Sequence, residues 1–121
     1  MIWRANADAK ADYFNERWLT FTGRSMDEEI GDGWAQGVHP QDLDRCLGAF
    51  LFAFDRREPF EMEYRLRRYD GEYRWVADSG APTYDASGRF AGFIGSCIDV
   101  TDRVQARAIL AQAHLKELGI L

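Results

Sequence analysis

Cysteine, histidine and positive charge are all scarce in this chain, and each shortage closes off a class of function. The only cysteines, Cys46 and Cys97, stand far apart with no Cys-x-x-Cys, so neither a zinc site nor a redox dithiol is indicated. Neither they nor the two histidines, His39 and His114, build a metal cluster, a Ser-His-Asp set or any other catalytic constellation, and no glycine loop cradles a phosphate. Fifteen basic residues against twenty acidic ones leave a net charge of −5. A nucleic-acid surface needs a positive excess, so no nucleic-acid partner is expected. No apolar run is long enough to span a bilayer, and no signal-peptide pattern opens the chain. Isolated cysteines in an acidic chain fit a reducing compartment. The expectation is a soluble, cytoplasmic domain without direct membrane contact, even where a longer parent protein is membrane-anchored.

What is present is a core. Hydrophobic residues make up 46% of the 121, with eight phenylalanines among them, enough to fill a single domain. The chain is organised around 61–101. From Phe60 the residues alternate: Phe60, Met62, Tyr64 and Leu66 point one way, Glu61, Glu63, Arg65 and Arg67 the other. That period marks a strand with one buried face. After Asp70-Gly71 a second strand covers Glu72–Ala77, and after the Asp85–Gly88 turn a third covers Arg89–Thr101. A two-residue loop at Asp70-Gly71 would oppose Arg67 to Arg74 and Glu63 to Asp78, like against like. A three-residue loop with Gly71 left-handed shifts the pairing by one and sets Arg65 against Trp75, where guanidinium stacks on indole. We expect the second arrangement, with Tyr64, Leu66, Val76 and Asp78 inside and Trp75 and Ala77 outside.

Upstream, Ile2 and Trp3 can pair with Ala11–Phe14 as a hairpin. Asn15 caps a helix that stops at Gly23, and Ser25…Glu28 has capping-box spacing for a second short helix ending at Gly31. Trp18, Phe21, Met26 and Ile30 are what these helices have to bury. Pro40 suits the first turn of the longest helix, whose Leu43, Leu47, Phe50, Leu51 and Phe54 form an apolar stripe. Downstream, Thr101 or Asp102 is the expected cap of a last helix. Val104, Ala108, Ala111, Leu115 and Leu118 would be its weak coiled-coil seam.

Several of these segments carry a family resemblance. Glu63-Tyr64-Arg65-Leu66, Asp70-Gly71-Glu72-Tyr73-Arg74-Trp75, Gly88-Arg89 and Asp99-Val100-Thr101-Asp102 closely resemble the C-terminal half of a PAS sensory domain. Asn15…Trp18…Phe21-Thr22-Gly23, Glu28-Glu29-Ile30-Gly31 and His39-Pro40-Gln41-Asp42 are similar to its N-terminal half, in the same order. The resemblance implies an α+β PAS fold: a five-stranded antiparallel sheet with short helices and one longer helix on its inner face, then a C-terminal helix. Residues 1–101 would be the sensory domain and 102–121 an output helix. It implies sensory input or relay in a sensor histidine kinase or cyclic-dinucleotide enzyme, with no catalysis by the domain itself. A small-molecule ligand, a homodimer mate and a linked output domain are the expected partners. The alternative is a ligand-free dimerisation module whose core is filled by Tyr64, Leu66 and the helix phenylalanines.

The candidate pocket is Trp34, Leu47, Leu51, Tyr64, Leu66, Val76, Asp78, Phe93 and Cys97; the resemblance places Phe93, Gly95 and Cys97 toward the cavity. Cys97 reads as inert packing or as a ligand contact. Asp78 and Arg74 would pair with each other or water, or meet a polar ligand. Trp75, Ile98, Asp99, Thr101 and Val104 are the candidate relay and dimer set. Ile98, Val100 and Trp75 form its apolar outer patch. A side-chain bond from Asp99 or Thr101 would either couple sheet to helix or simply cap the helix. Flavin is disfavoured because no Asn-Cys-Arg-Phe-Leu-Gln run occurs, and haem because 42–55 lacks a histidine. His39 reads as a cap and His114 as a surface residue; no metal site is expected.

Overall fold

A computed structural model describes residues Met1–Leu121, and its sheet is set by the Asp70-Gly71 turn. Gly71 adopts φ +86°, a conformation that favours glycine, and the Arg68 amide donates to the Glu72 carbonyl to close a three-residue loop. The flanking strands, β3 (Phe60–Arg67) and β4 (Tyr73–Tyr84), pair antiparallel with Arg65 opposite Trp75 and Glu63 opposite Ala77. The register that avoids like charges is the one adopted. The Arg65 guanidinium lies 5.2 Å from the Trp75 ring centroid.

β4 runs further than its sequence suggests, through Gly80 and Pro82 to Tyr84, paired throughout with β5 (Phe90–Asp99). Small residues here accommodate large neighbours. A Cβ on Gly80 would sit 2.5 Å from the Phe60 ring, and one on Gly95 2.2 Å from the Trp3 indole. The N-terminal hairpin, β1 (Ile2–Ala5) and β2 (Ala11–Phe14), adds to the other edge of β5. The antiparallel sheet therefore has the order β2-β1-β5-β4-β3.

Both short helices form as their caps dictate. Asn15 Oδ1 accepts from the Trp18 amide ahead of α1 (Glu16–Thr22), and also from the Ile2 amide, tying helix to hairpin. Ser25 and Glu28 make both bonds of a capping box around α2 (Met26–Glu29). A 3-10 turn, Gly33–Gly37, leads to α3 (Pro40–Arg56), whose cap is His39: its Nδ1 accepts from the Gln41 amide. The buried cluster between α3 and the sheet includes Trp3, Phe14, Trp18, Cys46, Phe50, Tyr64, Leu66, Val76 and Phe93. The last helix, α4 (Thr101–Glu117), stands mostly in solvent.

Three expectations are corrected. Leu51 is 45% exposed, because the face of α3 that meets the sheet centres on Cys46, Phe50 and Ala53 and Leu51 lies a quarter-turn away. Ile30 is exposed, at the point where the chain leaves α2 in extended conformation. Val100 is buried rather than exposed in an outer patch: the strand ends at Asp99, and Val100 sits at the cap position of α4, outside the main core cluster. Along the α4 seam Val104 and Leu115 are half-buried, while Ala108, Ala111 and Leu118 face solvent, where a partner helix would meet them.

One polar contact pins α3 to the sheet. Buried Asp42, in the first turn, accepts from Arg65 Nη2 at 2.7 Å, Nε at 2.9 Å and the backbone amide at 2.9 Å. The Arg65 hydrogen bonds hold its carboxyl down at about 2. A carboxyl depressed in the folded state stabilises above its unfolded value near 4, and that stabilisation drains away as pH falls toward 2. The shift corresponds to about 2 kcal/mol. Urea titrations of Asp42→Asn should therefore show a loss of about that size at pH 7 and nearly none at pH 2.

Candidate functional site

Strands β3, β4 and β5 each contribute one polar residue to the core. Asp78 on β4 is directly opposite Cys97 on β5, and Tyr64 on β3 reaches the same point. Asp78 Oδ2 accepts from the Tyr64 hydroxyl at 2.8 Å, and Oδ1 from the Trp3 indole Nε1 at 2.7 Å. The Tyr64 oxygen lies 3.7 Å from Cys97 Sγ. Burial raises the Asp78 carboxyl, against the Trp3, Tyr64 and Cys97 side chains and the Met1 ammonium, which favour its charged form. Burial also pushes the Tyr64 hydroxyl and the Cys97 thiol well up, and holds the Cys46 thiol at about 11. Arg74 does not join this group; it turns to Asp99 at 2.8 Å and to Glu72.

A cavity of about 40 Å³ lies beside Asp78. It is lined by Trp3, Ala5, Ala9, Ala11, Phe14, Trp18, Trp34, Phe50, Phe60, Met62, Tyr64 and Asp78. Sites that enclose drug-sized ligands run to roughly 300–1,000 Å³. Of the pocket residues expected from sequence, Trp34, Tyr64 and Asp78 line the space. Leu66, Val76, Phe93 and Cys97 are packed into the solid core, Leu47 is half-buried on α3, and Leu51 faces outward. Sequence reasoning missed Trp3 above all. Its signal was available: a buried indole N–H requires an acceptor, and Asp78 was the acid already placed on the inner face.

The second locus is the junction of β5 with α4. Neither Thr101 nor Asp102 caps α4; Val100 occupies the cap position without a side-chain bond. Instead Asp99 Oδ1 accepts from the Thr101 amide at 2.9 Å, and Thr101 Oγ1 accepts from the Trp75 amide at 2.9 Å. The Val100 amide donates to the Trp75 carbonyl at 2.8 Å. Burial works against the Asp99 charge, but Arg74 and the Thr101 amide hold its carboxyl below the ordinary range. Nearly two turns on, Arg107 pairs with Glu63 of β3 at 2.6 Å. Val104 is half-buried there, Ile98 is exposed on the outer sheet face, and His114 is exposed on α4.

Comparison with known proteins places this geometry. The profile of the family described as PAS fold matches residues 11–97. The uncharacterized protein y4lL of Sinorhizobium fredii is 39% identical over 121 residues, which span 98% of this chain and 15% of that protein. The peroxide stress-activated histidine kinase mak1 of Schizosaccharomyces pombe is 26% identical over all of this chain and 8% of its own length. The chain thus spans less than a sixth of either relative. Among solved structures, a sensory box histidine kinase/response regulator from Burkholderia thailandensis has a TM-score of 0.74 at 28% identity, covering 99% of this chain and 90% of that one. The N-terminal domain of a diguanylate cyclase with PAS/PAC sensor from Marinobacter aquaeolei shares the fold, with a TM-score of 0.73 at 22% identity, over 84% and 95% of the two chains.

Both thiols should resist iodoacetamide at pH 8 in the native protein and react on unfolding, as mass spectrometry would record. Rapid native alkylation would contradict their burial. Asp78 gives a pH signature of the opposite sign to Asp42. Its carboxyl is raised in the folded state, so native stability falls as pH rises from the unfolded value toward the folded one, then levels off. In a urea series from pH 3 upward, Asp78→Asn should remove that decline.

Proposed function

Because the chain belongs to the PAS fold family, we propose that it is a sensory-input or relay domain that hands its state to a linked output domain through α4. The observation that carries this reading is the junction: Asp99 and Thr101 bond the root of α4 to the β4 backbone at Trp75. A shift of the sheet at Trp75 is therefore felt at the first residue of the helix. Residues 1–101 form the sensing unit and 102–121 the output segment. The output is a histidine kinase or cyclic-dinucleotide enzyme, a choice supported by mak1 and by the Burkholderia and Marinobacter proteins. The domain itself acts as a sensory module and not as a catalyst, a reading supported by its membership of the PAS fold family. Exposed Ile94 and Ile98 and the open face of α4 would serve a homodimer in the cytoplasm.

The small cavity favours a second reading, a ligand-free relay and dimerisation module in which mechanical coupling alone carries the signal.

The junction is tested by Thr101→Val and Asp99→Asn in the domain joined ahead of a histidine-kinase core. Losing one such bond costs roughly 1 kcal/mol, so amide exchange over 103–107 should speed up roughly fivefold. Autophosphorylation should change at least twofold with the sheet amides still protected. Faster exchange in α4 with unchanged kinase output would sink the relay.

A further inference from the structure

Three carboxyls are buried in this protein, Glu29, Asp42 and Asp78. Two of them have a guanidinium: Arg24 Nε bonds Glu29, and Arg65 holds Asp42. Asp78 has none. Its partners, the Trp3 indole and the Tyr64 hydroxyl, are neutral, and Arg74 on the same strand is engaged by Asp99. The Met1 ammonium donates to the Cys97 carbonyl, not to the carboxylate. An ionised carboxylate also accepts about four hydrogen bonds, so these neutral donors leave part of its capacity open, and the one positive charge that acts on it, the Met1 ammonium, is bonded elsewhere.

The wall beside this acid is mostly aromatic. Trp3, Trp34, Phe50, Phe60 and Tyr64 all line the cavity that Asp78 borders. Aromatic faces attract cations, and rings grouped around an apolar space are a recognised way to hold alkylated ammonium groups. The volume restricts the choice further. One water needs roughly 10–15 Å³ of such space, so about 40 Å³ admits a molecule of about three or four heavy atoms. Trp34, Ala9 and Met62 are only half-buried, so the cavity borders the surface and a small solute has a short way in.

We propose that this cavity binds a small alkylammonium cation, its N–H groups directed at the Asp78 carboxylate and its methyl groups against the surrounding rings. Neutral molecules of the same shape satisfy the rings but leave the carboxylate without a counter-ion. Larger cations, such as a guanidinium on a side-chain stem, exceed the space. As the signal to be sensed, the cation rests on the sensory reading above. Its binding is measured on this chain without an output domain, so the two fail separately.

The experiment is a heteronuclear NMR titration of the 121-residue protein with dimethylammonium chloride. Isopropanol serves as the neutral molecule, isopropylammonium as the cation of its own shape, and sodium chloride as the ionic-strength control. The expected result is a saturable shift of the Trp3 indole N–H, absent with sodium chloride and at least tenfold weaker with isopropanol. In Asp78→Asn the dimethylammonium affinity should fall at least tenfold. The proposal is overturned by the absence of a saturable shift in the native protein, by an equal response to isopropanol, or by undiminished binding in the folded variant. If Asp78→Asn does not fold, the native comparison of cation with isopropanol decides alone.

Discussion

Placing a carboxyl group inside a hydrophobic sheet face is the constraint on which this structure turns. Asp78 needs donors, and none is near it in sequence: one comes from β1 and the other from β3. Meeting that need draws the Trp3 indole across β5 and β4, and glycine at positions 80 and 95 is what lets it lie there. The same indole stacks on Phe60 and meets Phe50 edge-on, so the polar contact also orders the aromatic layer under α3. A strand of four residues would otherwise be a weak addition to the sheet.

The fold gathers two polar anchors at one end of the sheet. There Arg65 and Asp42 fix where α3 begins, and Asp99 and Thr101 fix where α4 begins. Both involve the neighbourhood of Trp75, since Arg65 lies over its ring and Thr101 accepts from its amide. The outer indole is thus a common neighbour of the two helix roots. Contacts of this kind are two-sided: what moves one side biases the other.

Much of this was legible in the sequence because it depends on local rules. Alternation from Phe60 to Arg67, the charges flanking Asp70-Gly71 and the caps at Asn15, Ser25 and His39 each have few physical solutions, and the chain adopts them. The family pattern supplied the five-stranded antiparallel sheet, which no local rule contains. The failures share a cause as well. Leu51 and Val100 follow the hydrophobic period of their segments, but a period does not say how wide the buried face is or where a strand bends. The extension of β4 through Gly80 and Pro82 looked like a break because its reason, the Trp3 ring, comes from 77 residues earlier. Of the candidate pocket, Tyr64 and Cys97 do lie beside Asp78, but the indole that is its nearest partner was not among the candidates. Long-range side-chain pairing leaves only a faint mark on a single sequence.

The exposure of α4 has a further consequence. Beyond Val104 little of this helix is buried, and several alanines face solvent, so tertiary packing contributes little to its stability. A helix of 17 residues held chiefly at its root has docked and frayed forms close in free energy. Such an element works like a balance near its tipping point. Per unit of free energy supplied, population shifts most when two forms are nearly equal, so the weak packing of α4 is a source of gain, and whatever chain follows it sets the tare.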